Sequence, residues 1–425
     1  MTNDTTKKAI HGFKWTSFAT LTVASVSILK ISFLARLLDK NDFGLIALVM
    51  FFLGFTNLFM DMGLTIAILH KQDIKEKEYA SIFWFNLFLS LVFYLIILVL
   101  SKPISNFYCS NQLSNIITLM GLSLIIAAIG KQFKTIEQKY LNFRLISCVE
   151  VTCSIISFLS AIYLALNNYG VYSLVYAALI QISFENLFFL YRGILTKRLI
   201  FYFSFNSVKP FLRIGIYQVV GDIINYFSRD ADILIIGKFL GTDILGGYNL
   251  ARQLIRYPLQ IVEPVINKVS MPILPMYQTD NVKLKNLFFR LITNIGLLNA
   301  LTYGTIAISA HSLVNFLYGP RYTDIVIYIQ LFAAVIYLRS MIAQSGLIVL
   351  AKGRTDIGMF LNLFGVAFFI VIVLSFVNFG IEYIITALLL WHLLLLLPYW
   401  YFILKRLLDV KLYHYLKIVL TPLAI

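Results

Sequence analysis

The sequence predicts an all-α polytopic membrane protein with about twelve transmembrane helices in two six-helix bundles. Three observations predict it. Hydrophobic residues make up 60% of the 425 residues and charged residues only 13%, about half the charge of a soluble domain; mean hydropathy is +0.84. Apolar runs of spanning length recur along the whole chain. Lys and Arg also alternate by loop. With the N-terminus inside, about 24 of the 35 basic residues fall in inside segments and about 4 in outside ones, the bias that orients membrane proteins. A missed span would scramble that alternation. The same bias accounts for the net charge of +15 without a nucleic-acid partner.

The first run, 15–34, follows Lys7, Lys8 and Lys14. No small-residue cleavage site follows it, so it reads as a retained helix and not a signal peptide. Runs at 43–69, 82–100, 113–130, 146–166 and 171–191 complete a first set of six. The basic segment 192–213 is the longest connection and halves the chain. Runs at 214–239, 245–270, 287–310, 325–350, 357–377 and 382–404 form the second set. The division is an N-terminal bundle at 1–205 and a C-terminal bundle at 206–410. Residues 411–425 read as the start of a further, thirteenth helix or as a truncated tail. Phe33–Ala47 and Ile235–Asn249 share a pattern: helix end, acidic turn, glycine, new helix. An offset of about 202 pairs Lys30 with Asp232 and Asp61 with Glu263. Six spans per half, both starting inside, predict a pseudo-two-fold along the membrane normal, with substrate handled between the halves.

The seventh and eighth spans carry charge at bilayer depth. On the seventh, Gln218, Asp222, Asn225, Arg229 and Asp232 fall within roughly 80° of one helical face. On the eighth, Tyr248, Asn249, Arg252, Arg256, Gln260, Glu263 and Asn267 fall within roughly 120°. An ionised side chain at that depth costs about 3 to 10 kcal/mol, so such groups face a bundle interior or a watery cavity. Arg229, Arg252, Arg256, Lys30 and Arg339, with Gln218 and Asn225, are the candidates for binding an anionic substrate; arginine grips phosphate bidentately and keeps its charge. Asp61, Glu263, Asp222 and Asp232 are the candidates for ion coupling. The plainer reading is that these groups only neutralise one another. It explains single residues better than it explains two whole stripes, because buried pairs rarely repay their desolvation. Asp230 points about 120° off the first stripe, as a partner within the bundle. Glu150 and Glu185, near cytoplasmic helix ends, read as structural, and Pro258 and Pro264 mark a kink in the eighth span.

No catalytic signature is present. There is no Walker loop, the five histidines have no metal or triad spacing, and Cys109, Cys148 and Cys153 form no metal motif. The expectation is a protein with no enzymatic activity and no cofactor.

RLLDKNDFGLIAL, after the first span, resembles the corresponding stretch of Wzx-type polysaccharide flippases, and SRDADILIIGKFLGTDILGGYNLARQL, across the seventh and eighth, is similar to theirs. These flippases belong to the multidrug/oligosaccharidyl-lipid/polysaccharide exporter superfamily; the likeness is to its teichuronic and colanic acid exporters. The resemblance implies two six-helix bundles around a cationic cavity in the bacterial inner membrane, with the N-terminus cytoplasmic. It implies translocation of an undecaprenyl-pyrophosphate-linked oligosaccharide to the outer leaflet by alternating access, for surface polysaccharide synthesis. Its partners would be that lipid-linked substrate, membrane lipids, a polysaccharide polymerase and a chain-length regulator. A cation-coupled drug antiporter of the same superfamily and a non-transporting membrane scaffold are the alternatives. The excess of cationic over acidic groups favours the flippase over an antiporter, and a scaffold gives no reason for the stripes.

Overall fold

The computed structural model describes residues 3–71, 73–196 and 200–424; for 3–10, 66–67, 70, 213–218, 262–269, 271–272 and 423–424 it describes the backbone alone. Sixteen α-helices follow in order: α1 (Asn3–Leu37), α2 (Lys40–Asp61), α3 (Leu64–His70), α4 (Glu76–Phe107), α5 (Asn111–Lys139), α6 (Phe143–Leu166), α7 (Tyr172–Leu195), α8 (Phe205–Phe239), α9 (Gly241–Ile273), α10 (Asn281–Ile308), α11 (Ala310–Leu317), α12 (Val326–Ala351), α13 (Thr355–Phe376), α14 (Ile381–Tyr399), α15 (Arg406–Leu408) and α16 (Leu412–Leu420). Short 3-10 or π turns join some of them, and no strand occurs among the described residues. Each of the twelve apolar runs is helical. Ten helices are long and apolar enough to cross a membrane among the described residues. The two long helices outside that set are α8 and α9, of 35 and 33 residues, which carry the polar stripes.

Two boundaries differ from the hydropathy reading. Helices α4 and α5 overrun their apolar runs, so Lys102, Lys131, Lys134 and Lys139, read as loop residues, are helical. Past the hydrocarbon, charged side chains reach water while the backbone keeps its helical hydrogen bonds. The second run is broken. Met62 and Gly63 both take left-handed backbone angles, φ 38° and 68°, and the Met62 amide caps α2 on the Leu58 carbonyl. Glycine supplies such a turn without steric cost, and hydropathy does not register it.

By packing, the chain divides into one unit of Met1–Tyr226 with Gly241–Asp243, and another of Phe227–Leu240 with Ile244–Ile425. In the first unit α4 packs on α5, α5 on α7, α7 on α6 and α6 on α1. Its core holds Ile82, Phe83, Phe133, Ile136, Phe189 and Phe211. Helices α5 and α7 touch backbone to backbone at Gly130, where an added Cβ would meet the Asn186 Cα at 2.4 Å. In the second unit α10 packs on α12, α12 on α14 and α14 on α13. The neighbour order third–fourth–sixth–fifth therefore occurs in both, and α1 and α8 are each 35 residues long. A lysine at the C-terminal end of the fourth long helix braces the connection between second and third in each unit. Lys139 donates to the Lys71 carbonyl (2.5 Å); Lys352 donates to the Gln278 carbonyl and to Asn281 Oδ1 (2.5 Å each). Large apolar side chains such as Phe88, Val99, Leu301 and Ile308 stand on the outer faces, as they must where the solvent is lipid.

Candidate functional site

The polar stripes of α8 and α9 meet in the second unit as one ion cluster. Asp230 is its hub. Its carboxylate receives Arg229 Nε at 2.7 Å, Arg252 Nη2 at 2.8 Å and Arg256 Nη1 at 3.2 Å. Asp232, one residue pair further along α8, takes Arg252 Nη1 at 3.3 Å. Its other oxygen accepts the Tyr248 hydroxyl, and the Ile233 amide donates to Oδ1 at 3.0 Å. Arg252 also donates to the Arg229 carbonyl. Tyr248 is fully buried against Phe332, ring centroids 5.2 Å apart. Helix α12 brings Arg339 within electrostatic range of Arg252, Asp232, Asp230 and Arg229, and Arg339 makes no ion pair among the described residues.

Two kinds of arginine result. The Arg252 side chain is 7% exposed and is locked by both aspartates; Arg229 is 46% and Arg256 25% exposed. Among the described side chains, four arginines stand within electrostatic range of two aspartates, a surplus of two positive charges. An isolated structural pair would not leave that surplus, since an uncompensated charge is what burial penalises most. Asp230 itself had been placed off the stripe by periodicity. Its hub role follows from arginine's length, which lets side chains of α9 reach around the α8 face, and the signal in the sequence is the adjacency Arg229–Asp230.

The remaining predicted residues are spread. Lys30 donates to Ser157 Oγ at 3.2 Å in the first unit. Asp61, the last residue of α2 before the Met62–Gly63 break, pairs with Lys131 at 2.6 Å and accepts the Thr65 hydroxyl at 2.7 Å. Asp222 lies within electrostatic range of Asp61. Asn225 is exposed. The side chains of Gln218 and Glu263 lie outside the described residues, as does that of Pro264; α9 is helical through Pro258. Sequence reading did not find the first unit's own ion network. Lys134 of α5 is held between Glu150 of α6 (2.8 Å) and Glu185 of α7 (2.6 Å), so the two glutamates are structural partners of a lysine that hydropathy had assigned to a loop. No group of metal-binding side chains occurs among the described residues.

Comparison with known proteins follows the same line. A family model described as polysaccharide biosynthesis protein matches residues 33–327. The chain is 27% identical over 364 residues to the lipopolysaccharide biosynthesis protein WzxC of Escherichia coli (strain K12), covering 86% of this chain and 74% of that protein. It is 31% identical over 296 residues to the amylovoran biosynthesis protein AmsL of Erwinia amylovora, covering 69% and 76%. The fold is similar to that of the lipid II flippase MurJ in an inward closed conformation, with a TM-score of 0.73, 13% identity, and 96% and 90% of the two chains covered.

Proposed function

The chain belongs to the polysaccharide biosynthesis protein family, and from that premise we propose that it is a flippase for a lipid-linked oligosaccharide. The proposed substrate is an undecaprenyl-pyrophosphate-linked repeat unit. It moves from the cytoplasmic to the outer leaflet of a bacterial inner membrane by alternating access between bundles 1–205 and 206–410, as a parallel repeat of six spans each. The recurring helix order supports that repeat. The N-terminus is cytoplasmic, the protein has no enzymatic activity, and a polymerase and chain-length regulator receive the product.

The observation that carries this reading is the arginine surplus of the α8–α9–α12 cluster. A pyrophosphate diester brings two negative charges that must cross about 30 Å of hydrocarbon, and bare transfer of such a charge is prohibitive. Arg229 and Arg256, partly exposed, exchange Asp230 for phosphate oxygens, with Arg339 completing the charge. Arg252 stays with Asp230 and Asp232 and holds the frame. Lys30, Gln218 and Asn225 are further proposed substrate contacts. Asp61, Asp222 and Glu263 are proposed for ion coupling. Asp232, proposed with them, has both oxygens engaged, so its coupling role requires the Arg252–Tyr248 set to open.

The test is complementation of a strain lacking its own flippase for a matched repeat unit. Arg229→Ala with Arg256→Ala should abolish export and make the lipid-linked intermediate accumulate on the cytoplasmic face, with the protein inserted at normal levels. Full complementation by that double variant would remove these arginines from the site.

A further inference from the structure

A basic cavity lies in the first unit. It measures about 740 Å³ and is lined by His11 and Gly12 of α1, Tyr140 to Asn142 of the α5–α6 turn, Arg144, Leu145 and Cys148 of α6, and Arg192 of α7. All these residues sit at the bundle end that holds the start of α1. Arg144 is exposed and pairs with no carboxylate among the described residues; its guanidinium lies over the Trp15 ring, 5.4 Å from the centroid. The Trp15 indole N–H donates to His11 Nε2 at 2.9 Å, which leaves His11 Nδ1 as a donor. Arg192 spends Nε on Glu137 (3.0 Å), so its two terminal amino groups remain for another acceptor. Asn142, at the N-cap of α6, turns its amide onto Glu137 (2.5 Å) and does not cap the helix. Cations and donors thus converge on one cavity, and Glu137 beside it is already engaged.

The helices around it have a different character. Tyr140 of the lining, with Phe13 and Phe18 further along α1 and Tyr191 and Leu195 beside Arg192 on α7, are exposed large apolar side chains. A charged floor flanked by apolar side chains at a helix-bundle end is what a lipid phosphate with its acyl chains fits. A soluble phosphate would use the floor and leave the apolar side chains bare.

We propose that this cavity binds the phosphate headgroup of an anionic membrane lipid, with Arg144, Arg192 and His11 on the phosphate and the flanking apolar side chains along the acyl chains. It is distinct from the proposed substrate cluster, and it rests on the topology proposed above only for which leaflet supplies the lipid. Bound there, the lipid ties together α1, α6 and α7.

The test is native mass spectrometry of the full chain in neutral detergent. The protein is titrated with dioleoyl phosphatidylglycerol, with dioleoyl phosphatidylcholine, and with inorganic phosphate as competitor. Removing or reversing the Arg144 charge should weaken phosphatidylglycerol binding ~5-fold in Arg144→Gln and ~30-fold in Arg144→Glu, at about one lost charge's attraction each. Phosphatidylcholine should bind weakly, and 10 mM-scale phosphate should displace nothing. Lys405→Gln is the control: Lys405 also sits over a tryptophan, at 5.4 Å, but in the other unit, and its loss should change nothing. Melting temperature is read alongside, and because Arg144 is exposed and makes no ion pair, neither variant should shift it. Unchanged binding in both Arg144 variants, equal binding of the two lipids, equal loss in Lys405→Gln, or displacement by phosphate would each overturn the lipid site.

Discussion

Arg252 and Arg256 are one turn apart on α9, yet burial and partners give them opposite jobs. Arg252 bridges Asp230 and Asp232 at 7% exposure. Arg252→Ala takes the arginine from buried Asp232 and one of three from Asp230, a loss of about 3–5 kcal/mol by analogy with other broken buried pairs. Expected in a thermal melt is a large drop, with less protein inserted. Arg256→Ala removes one of three cations on Asp230, and its melt should stay close to the parent while export fails. Arg256→Lys should retain part of the export, because charge survives and the bidentate geometry does not. If all three variants lost stability equally, the division into holding and substrate-facing arginines would be wrong. At this scale the sequence was half legible. The stripe named Arg229, Arg252, Arg256 and Asp232, since period and charge are sequence properties. It could not rank the arginines, because exposure depends on which helices close over each. It set Asp230 apart because an angle measured at Cα ignores a side chain long enough to reach around the helix.

At the scale of elements, apolar run length located the long helices among the described residues, ten of them apolar enough to cross a membrane. Where helices ended was less legible, since a helix continues wherever water or a partner takes its side chains, as at Lys131 and Lys134. Close approach was not legible at all. Gly130 looks like any of the 22 glycines, but its Cα faces the Asn186 backbone. Gly130→Ala should overpack that contact at about 1–3 kcal/mol, read as a lower melting temperature. Gly304→Ala, on α10 with nothing within 4 Å of the added Cβ, should be neutral or slightly stabilising, since alanine favours helix over glycine by about 1 kcal/mol. Equal effects of the two would refute a backbone-to-backbone α5–α7 contact. Lys134→Met tests the first unit's network in a different way. It leaves Glu150 and Glu185 like-charged and close, so destabilisation should be relieved when Glu185→Gln is added. A double variant no better than the single one would show that the lysine matters for something other than its two glutamates.

The whole molecule raises the question of which way the chain faces and what drives it. About twenty-four basic residues against four favour the proposed orientation, with the N-terminus inside. Within the first packing unit, Thr242 at the start of α9 hydrogen-bonds Asn41 at the start of α2. Labelling can test the orientation once the background is cleared: Cys109 and Cys148 are exposed thiols and Cys153 is buried, and all three become serine. An impermeant maleimide added to intact cells should then modify a cysteine at Asn168 and spare one at Lys283. Labelling at Lys283 would invert or break the span count. For export of the headgroup with that orientation, we propose that the energy comes from a gradient. One elementary charge moved through 100 mV supplies ~2.3 kcal/mol, enough to bias a two-state carrier roughly fifty-fold. Asp61 sits where such a charge could act: at the break between α2 and α3, beside Lys131 and Thr65, with Asp222 in electrostatic range. Collapsing both the membrane potential and the ion gradients in everted vesicles should stop translocation of the lipid-linked oligosaccharide. Asp61→Asn should make the remaining rate insensitive to the gradients while the arginine cluster still binds the headgroup. Transport that continues at full rate after collapse would leave the carrier passive and remove any coupling role for Asp61.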